Sequence, residues 1–215
     1  MSAKCVRLEI DGLEIEAMAG ESVLSAALRN SIYIPHLCHQ QEMETEPFGG
    51  CRLCFVEILG KPHPVTSCTQ RVAHGMEVRT DTQSVRNLQR SALRLLLSTH
   101  RVDCARCFAN RKCRLQDLAR ALGVGLKTSG LKDLSLQESR DSTLGKVIYD
   151  RSKCVLCGSC VSWARENGTG IFQFAGRGLA TRIALFPFEG DEGILEGVWN
   201  VCPVGALFPS DAAAA

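Results

Sequence analysis

The side chains of this 215-residue chain with the numbers and spacing to do chemistry are its twelve cysteines. Eleven fall into three groups: Cys38, Cys51, Cys54 and Cys68; Cys104, Cys107 and Cys113; and Cys154, Cys157, Cys160 and Cys202. In the third group, C-x2-C-x2-C sets three thiolates on one tight loop, and Cys202-Pro203 supplies a distant fourth. Bacterial ferredoxins extend that run to a fourth local cysteine, which ligates the second cluster of a pair. Here that position is Ala164, so the segment reads as a two-cluster ferredoxin reduced to one [4Fe–4S] site. Zinc is the competing reading, although zinc sites pair two C-x2-C units rather than use a triple.

The first group reads C-x12-C-x2-C-x13-C. Its central pair and distant fourth cysteine match a plant-type [2Fe–2S] ferredoxin, with a longer first gap. Gly49-Gly50 would let backbone N–H groups approach the sulfurs closely, one lever on reduction potential. Zinc is an alternative at this spacing too. The second group has three cysteines, and His100 in H-x3-C-x2-C-x5-C supplies a fourth ligand as an imidazole. On spacing alone a [4Fe–4S] cluster and a structural Cys3His zinc site stand level. His36, His39, His63 and His74 read as solvated or core residues. Cys5, in an expected strand, reads as a small buried hydrophobe.

The elements that must position these ligands are legible in outline. Residues 5–10 and 13–18 alternate around Asp11-Gly12 as a β-hairpin, and Ser22 caps a helix running to Asn30. Strands are expected at Phe55–Leu59 and Glu77–Thr80. Residues 81–100 carry apolar side chains at helical spacing and lead straight into the second group. A further helix spans Cys113–Leu122 and ends at Gly123. Residues 124–145 read as a connecting loop. The last module has strands at Lys146–Asp150, Ile171–Phe174 and Ala180–Phe186, with a helix after Cys157. The expected organisation is therefore α+β: a module over 1–80, a helical module over 81–123, the loop, a module over 146–209, and a frayed or artefactual tail over 210–215.

Composition narrows the function. Twelve cysteines lie below the roughly 8–10% expected of a disulfide-stapled mini-protein, and 23.4 kDa suffices for a hydrophobic core. A formal charge of +2 gives no electrostatic reason to expect nucleic acid. No apolar run approaches the ~20 residues of a membrane span, and the N-terminus lacks a signal peptide's apolar stretch. A reducing cytoplasm, where clustered cysteines bind metal, is the expected compartment. Gly123-Val124-Gly125 and Gly176-Arg177-Gly178 do not complete a dinucleotide fingerprint and read as turns, and no phosphate-binding loop occurs. No catalytic residues are expected.

All three groups, in this order, resemble one family. It comprises the N-terminal region of the large peripheral iron–sulfur subunit of respiratory NADH:quinone oxidoreductase, the N-terminal region of many iron-only hydrogenases, and the small iron–sulfur diaphorase subunit of NAD-reducing nickel–iron hydrogenases. The resemblance is carried by Ile34-Pro35-His36-Leu37-Cys38, Gly50-Cys51-Arg52-Leu53-Cys54, His100–Cys113, Cys154–Cys160, Arg177-Gly178 and Cys202-Pro203-Val204-Gly205. It implies a β-grasp [2Fe–2S] ferredoxin-like domain, a His100-ligated [4Fe–4S] module and a bacterial-ferredoxin-like [4Fe–4S] domain. Ser159 stands where relatives often carry a basic residue. The chain stops soon after Cys202-Pro203, where the respiratory and iron-only relatives continue, so the stand-alone diaphorase-type subunit is the closest expectation.

What the resemblance implies is a hetero-oligomeric electron carrier with one [2Fe–2S] and two [4Fe–4S] clusters. NAD(H) and FMN would sit only on a partner subunit, and electrons would pass to a nickel–iron hydrogenase. A formate dehydrogenase, complex-I-like or electron-bifurcating complex is the alternative; a zinc-binding structural or assembly protein is the second. Oxidised clusters on four, four and three thiolates would turn the formal +2 into about −3.

Overall fold

The computed structural model describes residues 5–40, 48–127, 129–135, 139–190 and 192–214. The expectations for residues 1–4, for part of 124–145 and for Ala215 lie outside these. The chain opens with β1 (Cys5–Ile10) and β2 (Leu13–Met18), paired antiparallel from Cys5↔Met18 to Ile10↔Leu13. Asp11 and Gly12 both take positive φ, 50° and 83°, the geometry a two-residue primed turn requires. Alternation points Leu8, Ile10, Ile15 and Ala17 inward. Helix α1 (Val23–Arg29) lays Val23, Leu24, Ala26 and Ala27 on that face, and the Ser22 hydroxyl caps it by accepting from Ser25 N at 3.0 Å.

Strands β3 (Phe55–Ile58), β4 (Val65–Thr66) and β5 (Glu77–Arg79) complete a five-stranded sheet of order β2-β1-β5-β3-β4. Its one parallel pair is β1 with β5, at Glu9↔Glu77. The Asp11 carboxylate ties the two ends of this unit by accepting from Thr80 N at 2.8 Å.

Thr82 then caps α2 (Gln83–Thr99), which buries Val85, Ala92, Leu93 and Leu97 along one stripe. Helix α3 (Arg114–Leu122) buries Leu115, Leu118, Ala119 and Leu122, and ends where Gly123 turns left-handed at φ 62°. Arg90 in α2 donates to the Leu122 carbonyl at 2.8 Å, so the helices are clasped end to side. Two-residue β6 (Arg140–Asp141) leads to β7 (Val147–Asp150), α4 (Ser159–Glu166), the hairpin of β8 (Phe172–Ala175) and β9 (Arg182–Leu185), and β10 (Leu207–Pro209). β7 is the centre of the order β10-β7-β6.

Packing produces two cores from these elements. One lies inside the N-terminal sheet and α1. The other runs from α2 and α3 through the C-terminal strands and also takes in Leu37, Cys38, Cys51 and Leu53. Two helices present too little apolar area to enclose a core of their own, so they share one with residues 146–209.

Three expectations change. Cys5 is exposed, not buried: strand alternation puts it on the outer face opposite Met18. β6 lies within the segment read as a loop, too short to carry a periodic signal. The tail over Ser210–Ala214 forms a short helical turn, anchored by Ser210 N donating to Lys146 O at 2.9 Å. Among the described residues, no helix is long and apolar enough to cross a membrane.

Candidate functional site

The first ligand group is assembled by two loops. Cys38, Cys51 and Cys54 sit on the stretches flanking the start of β3, and Cys68 follows β4. The second loop is pinned by Ser67, whose N and Oγ both donate to the Cys54 carbonyl, at 2.8 and 2.9 Å. All four thiols are buried. The Cys38 and Cys51 sulfurs lie 3.4 Å apart. Hydrogen bonds from the Cys51 and Cys68 thiols hold Cys38 far below the usual thiol range, and backbone donation from Cys51 and Gly49 adds to it. Donating those hydrogen bonds to Cys38 pushes the Cys51 and Cys68 thiols strongly up. Four clustered, buried cysteines are a ligand set that a cationic core would satisfy.

The third group forms on the loop between β7 and α4. Leu156 (φ 53°) and Gly158 (φ 82°) take left-handed backbone there, which turns the chain tightly between Cys154, Cys157 and Cys160. Cys202 joins them from the turn before β10, and each thiol feels the charge of at least one other. Burial is the leading cause of their raised pKa values, to about 11 for Cys154 and about 12 for Cys157. Backbone donors already aim at the sulfurs: Leu156 N at 3.4 Å from Cys154 Sγ, and Ala206 N at 3.3 Å from Cys202 Sγ. Ser159, 2% exposed, sets its hydroxyl 3.5 Å from Cys157 Sγ. The Tyr149 hydroxyl is buried without a hydrogen-bond partner; after burial, Cys154 is the main cause that drives its pKa far above normal.

The second group lies between α2 and α3. Cys104 opens a single helical turn, Cys107 closes it, and Cys113 is the N-cap of α3. Burial raises Cys113, and the charges of Cys107 and Cys104 add to the effect. His100 ends α2, 7% exposed, with Nδ1 2.8 Å from the Lys153 carbonyl. A nitrogen facing a carbonyl must carry the proton, and burial lowers the ring's pKa. The imidazole is therefore neutral, with its lone pair on Nε2, the form a metal ligand needs. The polar contact of the ring runs to Lys153 rather than to the three sulfurs. The Lys153 ammonium is itself 7% exposed and donates to the carbonyls of Arg101 (3.2 Å) and Asp103 (3.4 Å). A buried cation held by carbonyls alone is poorly compensated unless an anionic centre lies nearby.

The groups are stacked through backbone. A Cβ at Gly50 would lie 3.5 Å from the Leu156 carbonyl oxygen, and Gln40 donates to the Val201 carbonyl at 2.6 Å. Both contacts join the first group to the third. Pro203 O accepts from Arg114 N at 2.9 Å, and a Cβ at Gly205 would lie 2.7 Å from Ala109 Cβ and 3.2 Å from Cys107 Sγ. These join the third to the second. A cavity of about 830 Å³ opens beside the first junction, lined by Cys51, Tyr149, Cys154 and Leu156 among others.

Gly205→Ala, at φ 70° with those approaches, is expected to cost about 2–4 kcal/mol. A chemical denaturation curve and an iron assay on the variant check this, and an unchanged midpoint with full iron would contradict it.

Among the described residues, no three His, Cys, Asp or Glu side chains are arranged to hold one metal ion. In a [4Fe–4S] core each iron takes its own protein ligand, so the thiols need not converge on a single point. His36 and His39 are buried, while His63 and His74 are exposed. Arg114 Nη2 donates to His36 Nε2 at 2.6 Å, and burial holds the ring at about 4. Gly123 and Gly176 serve turns, the first as a helix cap and the second where any Cβ would strike the Ala180 carbonyl. Tyr149, Lys153 and the Ser159 contact were not legible as site features, because each depends on a fold contact rather than on ligand spacing.

Two family models match: a 2Fe-2S iron-sulfur cluster binding domain over residues 3–83, and the NADH-ubiquinone oxidoreductase-G iron-sulfur binding region over 89–126. Fold, ligand geometry and these domains together define an iron–sulfur protein. An NADH-quinone oxidoreductase subunit from Rickettsia conorii is 31% identical over 205 residues, 94% of this chain and 30% of that protein. The NADH-ubiquinone oxidoreductase 75 kDa subunit of Reclinomonas americana is 32% identical over 204 residues, 94% of this chain and 29% of its own length. The chain thus spans about 30% of the curated relatives it matches. A crystal structure of an NAD+-reducing [NiFe]-hydrogenase in the H2-reduced state contains a chain with TM-score 0.84 and 30% identity, matched over 95% of this chain and 87% of that one. The chain belongs to the family of iron–sulfur subunits represented by the NADH-ubiquinone oxidoreductase 75 kDa subunit and by this chain of the NAD+-reducing hydrogenase.

Proposed function

We propose that this chain is the electron-transferring iron–sulfur subunit of a cytoplasmic, multisubunit NAD(H)-linked oxidoreductase whose second catalytic partner is a nickel–iron hydrogenase. In this reading Cys38, Cys51, Cys54 and Cys68 hold one [2Fe–2S] cluster; His100 through Nε2, with Cys104, Cys107 and Cys113, holds a [4Fe–4S] cluster; Cys154, Cys157, Cys160 and Cys202 hold another. Clusters bound at these positions accept and donate single electrons with little change in geometry.

The observation that carries the reading is the backbone stacking of the three groups. Gly50 comes against the Leu156 carbonyl, and Gly205 against Ala109 and the Cys107 sulfur, so both junctions close on a glycine. The third group thus has a contact with each of the other two, which suits a relay. Apolar residues pack around it: Val155, Val161, Ala164, Ile171 and Val204 are all buried. On this reading residues 1–80 are a β-grasp ferredoxin-type domain, 81–123 the His/Cys3 module and 146–209 a bacterial-ferredoxin-type domain. FMN and NAD(H) belong to a partner subunit, since both glycine pairs serve turns.

Affinity purification of the tagged chain from its native cell tests the assignment. The expected result is co-purification of a flavin-containing, NAD(H)-oxidising subunit together with hydrogenase subunits. Recovery with a formate dehydrogenase would replace the hydrogenase, and recovery with no flavin-containing subunit would overturn the reading.

A further inference from the structure

Two hydroxyls of this chain have no task in the ligand assignment, and both stand at the third group. Tyr149 lies on β7, the central strand of the C-terminal sheet, opposite Leu207 on β10 and Asp141 on β6. Its side chain is 4% exposed, and its Oη has no hydrogen-bond partner. An orphaned buried hydroxyl is costly unless an acceptor completes it. Tyr149 and Cys154 line the same cavity, and Cys154 is the foremost ionisable neighbour acting on the hydroxyl. Ser159 is the N-terminal residue of α4, 2% exposed, with Oγ 3.5 Å from Cys157 Sγ. A free thiol at Cys154 offers the tyrosine only a weak acceptor, whereas a metal-bound thiolate offers a strong one.

We propose that Tyr149 and Ser159 are positioning residues that donate O–H···S hydrogen bonds to the Cys154 and Cys157 thiolates, and thereby raise the reduction potential of the third centre relative to the same ligand set without them. Neither hydroxyl ligates metal, and both remain protonated throughout. Reduction adds negative charge that spreads onto the ligand sulfurs. A donor aimed at those sulfurs therefore stabilises the reduced form more than the oxidised one, and the potential rises. Ser159 takes this role at a position where a basic residue would act by charge instead. The inference rests on the ligand assignment above.

Tyr149→Phe and Ser159→Ala each remove one hydroxyl and little volume, so either serves if the other fails to load iron. Anaerobic redox titration of the holoprotein followed by EPR is expected to show the third centre shifted to lower potential in each variant and further in the double variant, with the other two centres unmoved. Pulsed EPR in D2O is expected to show an exchangeable proton coupled to the third centre in the wild type and lost in Tyr149→Phe. Third-centre potentials equal to wild type in both variants, with the proton coupling retained, would overturn the inference while leaving the ligand assignment intact. Absence of any third-centre signal in the wild type would overturn the assignment itself.

Discussion

Cys157→Ala is expected to empty the third site of iron and to lower the melting temperature of the holoprotein by about 15 °C. The reasoning starts from where Cys157 sits. It is buried in the larger core with Val155 and Val161, and that core joins Leu37, Cys38, Cys51, Leu53 and helices α2 and α3 to the C-terminal residues as far as Leu207. Without its metal, the site would leave Cys154, Cys160 and Cys202 half-buried against that core, with thiol pKa values raised by desolvation. Ligation that exists only in the folded state is folding free energy, and a loss on the order of 5 kcal/mol is modest beside the ~10–16 kcal/mol of small structural metal sites. At roughly 2–4 °C per kcal/mol for a chain of this size, the drop is about 15 °C. Calorimetry with iron and labile-sulfide assays measures both effects. Cys5→Ala is the control: Cys5 is exposed on the outer face of β1 and outside every cysteine group, so the change should stay within ~0.5 kcal/mol. A Cys157→Ala protein that keeps its iron and melts within 2–3 °C of wild type would contradict the assignment.

The second large effect is expected at His100. Replacing it with cysteine exchanges a neutral imidazole for a thiolate and adds one negative charge to the centre it ligates. Two histidines for two cysteines separate Rieske centres from plant-type ferredoxins by several hundred millivolts, so a single exchange should lower the potential by roughly 100–300 mV. The surroundings favour the neutral ligand. Burial is the main cause of the lowered histidine pKa, and the Lys153 ammonium works in the same direction. His100→Cys also loses the 2.8 Å bond to the Lys153 carbonyl, which ties the second group to the third. An EPR-monitored titration, with the other two centres as internal references, reads the shift directly. A variant that titrates at the wild-type potential would remove His100 from the ligand set.

What could be read from the chain, and what could not, divides along physical lines. The C-x2-C runs were visible because their spacing is covalent, whatever the rest of the protein does. The β1–β2 hairpin was visible because Asp11-Gly12 meets the backbone demand of its turn, and α2 because seventeen residues give its apolar stripe room to repeat. β6 and β4, of two residues each, have no period to detect and exist only because a neighbouring strand pairs with them. The exposure of Cys5 depends on which face of β1 receives α1, a tertiary choice that composition does not announce. The shared core was hidden for the same reason: Leu37 and Leu53 belong to the N-terminal segment by sequence, yet pack with the C-terminal residues. Likewise the stacking of the cysteine groups and the contacts of Lys153 with His100 and Arg101 join residues that are tens of positions apart.

The central claim is that eleven cysteines and His100 serve three iron–sulfur centres, and a metal count tests it most directly. Anaerobically purified chain, assayed for iron, zinc and acid-labile sulfide per polypeptide, is predicted to hold about ten irons and about ten sulfides, with no stoichiometric zinc. One zinc or more per chain, with iron and sulfide absent, would contradict it.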